Sequence, residues 1–251
     1  MKKIFLAMVF ASTVVSANTI DTNCPSHVIW GAPQIPVEGN NQYICRTDYA
    51  VNLNYKTKVS YFVVEHITAN EINQGTKRKD DFREDQTVPL KYRATMRDYA
   101  GGKYDRGHMA PAGNFTSNKQ VMSESFLLSN IMPQNSGNNR GIWNVLEGYV
   151  RDWAVKHKEL YVITGTIYDD KFETIGNGVG VPTYIYKIII NPITQKSIAF
   201  KFPNVKLNPK TIENYIVTIA DIETVTGINF EPNLPKSLAQ FESSKSKLTD
   251  W

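Results

Sequence analysis

Apolar residues along this chain fall mostly into short β-branched and aromatic runs separated by polar stretches. Val59-Ser60-Tyr61-Phe62-Val63-Val64-Glu65 predicts a strand, and Leu160-Tyr161-Val162-Ile163-Thr164-Gly165 predicts a buried one stopped by glycine. Two more strand-like runs, Thr183 to Ile190 and Ser197 to Phe202, flank Asn191-Pro192-Ile193-Thr194, a hairpin signal. Helical periodicity is clear over Asn139 to His157, where Ile142, Trp143, Val145, Leu146, Tyr149, Val150 and Trp153 form one broad apolar face. At ~100° per residue Asn139, Glu147 and Arg151 fall at about 0°, 80° and 120°, along one flank of that face. A shorter helix is predicted over Pro209 to Tyr215, capped by Asn208. Strands and helices mix without a βαβ rhythm. The expected fold class is therefore α+β, with a central, largely antiparallel β-sheet and flanking helices.

Residues 1–17, MKKIFLAMVFASTVVSA, read as an export signal: Lys2 and Lys3 at the front, an apolar stretch, then small residues at Val15-Ser16-Ala17. The apolar stretch is too short to cross a bilayer core of ~30 Å. The expected compartment is the periplasm or the exterior, with no membrane attachment of the mature chain. Residues 18–50 are polar and proline-containing and predict an irregular arm. Its two cysteines, Cys24 and Cys45, are expected to pair as a disulfide in an oxidising compartment. A domain is drawn over 51–235, and 236–251 is Ser/Lys-rich and expected to be a loosely held tail.

Composition is ordinary for a globular protein, with 41% hydrophobic and 21% charged residues among 251, which excludes disordered, collagen-like and coiled-coil classes. The net charge is +4, and discounting Lys2 and Lys3 leaves 26 basic against 24 acidic side chains. Global charge therefore announces no polyanion partner. Local charge does more: between Lys77 and Arg106 there are nine Lys/Arg and six Asp/Glu.

The stretch richest in chemistry is Tyr104-Asp105-Arg106-Gly107-His108-Met109-Ala110-Pro111. An isolated histidine is more often a surface or core residue than a catalyst. A Glu147–Arg151 pair at i,i+4 is also what a surface salt bridge looks like. The second stretch, Asn130-Ile131-Met132-Pro133-Gln134 followed by Asn139 and Trp143-Asn144-Val145-Leu146-Glu147, adds an amide oxygen and a carboxylate to the imidazole and guanidiniums. Phosphodiester hydrolysis needs such parts: a base for water, a hard cation, and positive charge for the phosphate. Only four histidines exist, His27, His66, His108 and His157, without the spacing of a multi-histidine zinc site.

Together Asp105-Arg106-Gly107-His108, Asn130 to Gln134, Asn139 and Trp143 to Glu147 resemble the DNA/RNA non-specific endonucleases, the ββα-metal (His-Me finger) nucleases of the Serratia nuclease and endonuclease G type. The resemblance runs from about Val59 to Pro235 and includes Lys187 and the Thr226-Gly227-Ile228-Asn229-Phe230 segment. It implies His108 as general base, Asn139 as the one direct protein ligand of Mg²⁺ (Mn²⁺ substituting), and Glu147 as holder of the ion's water. It implies Arg78 at the pentacovalent phosphate, Arg106 and Arg151 on phosphates, and Asp105 steadying the catalytic loop. Asn130 and Gln134 would support that loop. The implied substrates are DNA and RNA, cut with low sequence specificity to 5′-phosphorylated products by a monomer or homodimer. Two other readings use the same residues: a non-catalytic extracellular nucleic-acid binder, and a phosphoesterase of small nucleotides.

Mass spectrometry of the protein from its native compartment is expected to show a chain beginning at Asn18 with Cys24 joined to Cys45. Retention of residues 1–17, or two alkylatable thiols without reductant, contradicts this reading.

Overall fold

The computed structural model describes residues 20–36, 39–238 and 240–251, so the export segment 1–17 and the expected start at Asn18 lie outside the described residues. Eleven strands are described: β1 (Asn41–Cys45), β2 (Tyr49–Asn54), β3 (Ser60–Thr68), β4 (Asp105–His108), β5 (Ile131–Gln134), β6 (Glu159–Ile167), β7 (Thr174–Ile175), β8 (Val179–Gly180), β9 (Tyr184–Asn191), β10 (Lys196–Pro203) and β11 (Ile216–Val217). The α-helices are α1 (Ile20–Asn23), α2 (Lys119–Glu124), α3 (Ser136–Asn138), α4 (Asn144–His157) and α5 (Ile219–Thr226).

Seven strands form one antiparallel sheet in the order β1-β2-β3-β6-β9-β10-β11. The fold is α+β, as the strand and helix pattern predicts. Both faces of the sheet are covered, so β2 is buried along its whole length and β9 from its second residue on. That is why these strands read as apolar runs and not as clean alternation. On one face Val63, Ile67, Val162, Ile185 and Ile189 pack with Trp143, Leu146, Val150 and Trp153 of the helical layer. On the other, Phe62, Val64, Ile163, Tyr186 and Ile188 pack with Ile20, Ile35, Ile219, Ile222 and Phe230. The pairs β3–β6 and β9–β10 supply the centre, and the turn between β9 and β10 is held by Asn191 Oδ1, which accepts from the backbone of Ile193 and Thr194 at 3.0 Å each.

Three expectations change. The expected irregular arm 18–50 contains β1 and the first two residues of β2, and the boundary drawn between 50 and 51 falls inside β2. Alternating polar residues such as Asn41, Asn52 and Asn54 hide these strands from a β-propensity reading. Cys24 and Cys45 are joined, with Cα atoms 5.9 Å apart, which ties the N-terminal segment to the edge strand β1. The 209–215 helix is present but 3₁₀ in character, with Asn208 accepting from Lys210 as a cap. Finally, the expected loose tail 236–251 is anchored at two of its described residues. Phe241 is buried edge-on against Trp30, and Trp251 is buried against Trp153 at 5.2 Å, its carbonyl accepting from Lys156.

Trp251→Ala is expected to cost about 2–3 kcal/mol, because it empties an aromatic contact beside Trp153. Thermal unfolding should then fall by roughly 5–10 °C. An unchanged midpoint would mean that the contact contributes nothing.

Candidate active site

The short strands β4 and β5 pair antiparallel, with Asp105 opposite Gln134 and His108 opposite Ile131, and lead into α3 and α4. Side chains on a strand alternate in direction, so β4 divides its four residues between two faces. Arg106 and His108 go one way, and both meet Phe82. Asp105 and Gly107 go the other. Gly107 lies under Gln134, where a Cβ would come within 2.1 Å of Oε1. The buried Asn130 secures the chain just beyond His108: its Oδ1 accepts from Ala110 N at 2.9 Å, and its Nδ2 donates to Ala110 O and Ser125 O at 2.8 Å each. Gln134 donates to Asn138 Oδ1 at 3.0 Å, and Asn138 in turn donates to the carbonyls of Pro203 and Val205. The two motif amides are thus the internal bolts of the loop and of α3.

His108 is 7% exposed and held between two rings, edge-on to Phe126 at 4.8 Å and tilted to Phe82 at 5.3 Å. Arg78 lies over the Phe126 ring at 5.1 Å and Arg106 over the Phe82 ring at 4.3 Å. Burial and the positive charge of Arg78 and Arg106, only partly offset by Asp80, push the imidazole down to about 3. Sequence reasoning uses an ordinary histidine value of ~6.5. The structure holds this one neutral far below it. The other three histidines lie elsewhere: His27 against Arg46 O, His66 against Glu159, and His157 against Trp251.

Asp105 accepts from Asn139 Nδ2 at 2.9 Å and from Arg140 Nε and Nη2 at 2.8 and 2.7 Å. Burial alone would raise the Asp105 carboxyl, but the bonds from Arg140 and Asn139 outweigh it and hold it low. A carboxylate can only accept, so it fixes the amide with Nδ2 inward and leaves Oδ1 as the free acceptor. Asn139 does not begin a regular α-helix as expected. Residues Asn139–Trp143 form a wide π-turn, with Gly141 outside the helical region, before α4 starts at Asn144. The even angular placement expected for Asn139, Glu147 and Arg151 is therefore broken at its first member. Such turns recur at functional sites because they re-aim one side chain without ending the helix.

These pieces border one open cleft of about 580 Å³, lined by Arg78, Arg106, His108, Asn139, Arg140, Glu147 and Arg151 among others. Glu147 and Arg151 make no direct ion pair; both face the cleft, and Arg151 rests on Gly113, where a Cβ would meet Nη1 at 3.1 Å. Burial raises the Glu147 carboxyl, while Lys187, Arg151 and Arg78 pull it back. Sequence reasoning gives no role to Phe82, Phe126, Arg140, Glu65 or Lys187. The last two left a signal: each is a lone charge on the inward-facing period of an apolar strand. The aromatic pair left none, since it is assembled from a loop and the end of α2.

The donor set suits a hard divalent cation. The cleft offers the Asn139 amide oxygen, two further asparagines and one carboxylate, and a Mg²⁺-like ion keeps most of its water and needs few protein ligands. Among the described residues, the one group of three His, Cys, Asp or Glu with ligand atoms within 4.8 Å of one another is Cys24, His27 and Cys45, whose sulfurs are joined to each other. Nothing in the cleft resembles a carboxylate-bridged two-ion centre.

The family model of DNA/RNA non-specific endonucleases matches residues 31–237, reaching further toward the N-terminus than the motifs alone. The chain is 35% identical over 213 residues to nuclease C1 of Cunninghamella echinulata var. echinulata, covering 78% of this chain and 84% of that one. It is 33% identical to human mitochondrial nuclease EXOG, covering 77% of this chain but only 58% of that longer protein. The fold matches a chain in the crystal structure of an EndoG/EndoGI complex with a TM-score of 0.74 and 32% identity, over 80% of this chain and 90% of that one. Sequence, fold and the ββα arrangement of the cleft agree, and the chain belongs to the DNA/RNA non-specific endonucleases, nucleases that depend on a divalent metal.

Proposed function

We propose that this protein is a secreted or periplasmic nuclease that hydrolyses phosphodiester bonds of DNA and RNA with His108 as general base and one Mg²⁺ ion, Mn²⁺ substituting. The observation that carries the reading is the convergence of one neutral imidazole, the Asn139 amide oxygen, one carboxylate and four guanidiniums on a single cleft. The Cys24–Cys45 disulfide and the expected export segment favour an oxidising compartment.

Asn139 Oδ1 would hold the ion, and Glu147 would hold water beside it. When bound, the cation supplies positive charge to the phosphate and to the departing oxygen. Arg78, Arg106 and Arg151 bind the phosphodiester through its oxygens, which carry no base identity, so cleavage is insensitive to sequence. His108 takes the proton of the attacking water. Displacement of the 3′ oxygen leaves a 5′-phosphate and makes no use of the 2′-hydroxyl. Arg78 and Arg106 also depress the basicity of His108 in the free enzyme. A phosphate bound between them offsets that positive charge and so strengthens the base as substrate arrives. The noncatalytic-binder reading would need the guanidiniums but has no use for the Asp105–Asn139 bond or the enclosed imidazole. An open cleft also fits a polymer better than a small nucleotide.

Plasmid nicking should require added Mg²⁺ or Mn²⁺ and stop in EDTA. His108→Ala should lower the rate ~10²–10⁴-fold, the range for losing a general base, with DNA affinity within a few-fold of wild type. His27→Ala, His66→Ala and His157→Ala should stay within a few-fold. Full activity of the metal-stripped protein, or of His108→Ala, sinks the mechanism.

The lowered pKa gives a second test, on the metal-free protein. A folded-state value below the unfolded one means that the folded protein resists protonation, so stability from this group is present above pH ~6.5 and is lost as pH falls toward 3. Nitrogen chemical shifts of His108 should remain those of neutral imidazole at pH 5. An imidazolium at pH 6 would show that burial and the arginines do not govern it.

A further inference from the structure

Lys187 sits in the middle of β9, the fifth strand of the seven, and is 1% exposed. Its sheet-face neighbours, Ile185 and Ile189, belong to the apolar core beneath the cleft. Its ammonium donates to Thr164 Oγ1 and to Met109 O, the latter at 3.3 Å, and lies 4.9 Å from the centre of the Trp143 ring. Met109 directly follows His108. Trp143 closes the wide turn that Asn139 opens, and Glu147 follows one helical turn later. One positive charge therefore touches the peptide behind the imidazole and the helix that carries the carboxylate.

Two acids compensate it. Glu65 on β3, also 1% exposed, and Glu147 both attract Lys187, and burial holds the Glu65 carboxyl up at about 7. Glu65 Oε2 accepts from Asn114 at 2.9 Å, and Asn114 follows Gly113, the residue on which Arg151 rests. Burying such ions costs several kcal/mol each, and well-packed apolar side chains would serve stability as well. The charges concentrate under the cleft, where their field acts on Glu147.

We propose that Lys187 is a positioning residue of the hydrolytic cleft: its buried ammonium holds the Met109 peptide behind His108 and the Trp143 turn that leads to Glu147 in place from below. This inference rests on the nuclease reading and extends it to Lys187, which touches neither substrate nor metal.

The test compares Lys187→Met, Glu65→Gln and the Lys187→Met/Glu65→Gln double variant with the full-length protein. Three quantities are read: the thermal midpoint, the affinity for Mn²⁺ alone by electron paramagnetic resonance, and kcat and KM on plasmid DNA. Lys187→Met should weaken Mn²⁺ binding and lower kcat by ~10–100-fold each, the usual cost of losing a partner behind a metal site. KM for DNA should stay within about three-fold, because the phosphate-binding arginines are intact. Glu65→Gln should hold kcat within about three-fold, since the Lys187 contacts with Met109 and Trp143 remain. The double variant should regain much of the midpoint lost by Lys187→Met, because neither partner is left stranded, yet regain neither kcat nor Mn²⁺ affinity. If kcat and Mn²⁺ affinity recover together with the midpoint, or never change, Lys187 is only a structural ion and the proposal falls. It falls too if Glu65→Gln alone costs as much kcat as Lys187→Met. Should Lys187→Met not fold, the double variant decides by the same criteria. Mn²⁺ affinity needs no turnover, so an inactive wild-type protein would overturn the nuclease reading separately.

Discussion

Asp105 accepts the amide of Asn139 with one oxygen and grips Arg140 with both. That single carboxylate joins β4, which carries His108, to the turn that opens the helical half of the site. It also decides which end of the Asn139 amide faces the cleft, because it can only accept. The other features serve this junction. Gly107 is small so that Gln134 can lie over β4, and Gln134 holds Asn138, the residue next to Asn139. The π-turn at Asn139–Trp143 turns the amide toward Asp105 without ending the helix that brings Glu147 to the same cleft. The Gln134–Asn138 bond is buried, while Asp105 and Asn139 are half-buried and Arg140 is exposed, so the junction is anchored from its inner side.

Around this junction, positive charge is used twice. Arg78 and Arg106 lie on the faces of Phe126 and Phe82, and those rings enclose His108. The stacking fixes the guanidiniums where a phosphate would bind, and the same closeness keeps the imidazole neutral. In the proposed mechanism, substrate binding and base strength are thereby coupled through Coulomb interactions at short range in a partly dry environment. Beneath the cleft the arrangement inverts: Lys187 is a buried cation near two acids, opposite Thr164 and flanked by Ile185 and Ile189. The sheet is thus both the scaffold of the catalytic layer and the source of part of its field.

The motifs made much of the site legible from sequence. Asp105, Arg106, His108, Asn130, Gln134, Asn139, Glu147 and Arg151 are local in sequence or fall on one helical periodicity, and all are brought to the cleft or to its supports. Arg78, separated from them by a long irregular stretch, also lines the cleft. The central strands β3, β6, β9 and β10 were equally plain, because a sheet covered on both faces needs continuous apolar runs.

Tertiary structure decided the rest, each time because the cause was non-local. Strand β1 is polar at its start and β2 has asparagines between its apolar residues, and both exist because β1 pairs with β2 and β2 with β3. The segment 236–251 is polar by composition and is held because Phe241 and Trp251 find aromatic partners far away in the chain. The wide turn at Asn139 depends on where β4 places Asp105. The low basicity of His108 depends on rings and guanidiniums contributed by three separate segments. Sequence determined which chemical groups this protein has and which runs of it pair and pack. Only the fold determined how strongly each group holds a proton, because that is set by burial and by charges brought close from distant parts of the chain.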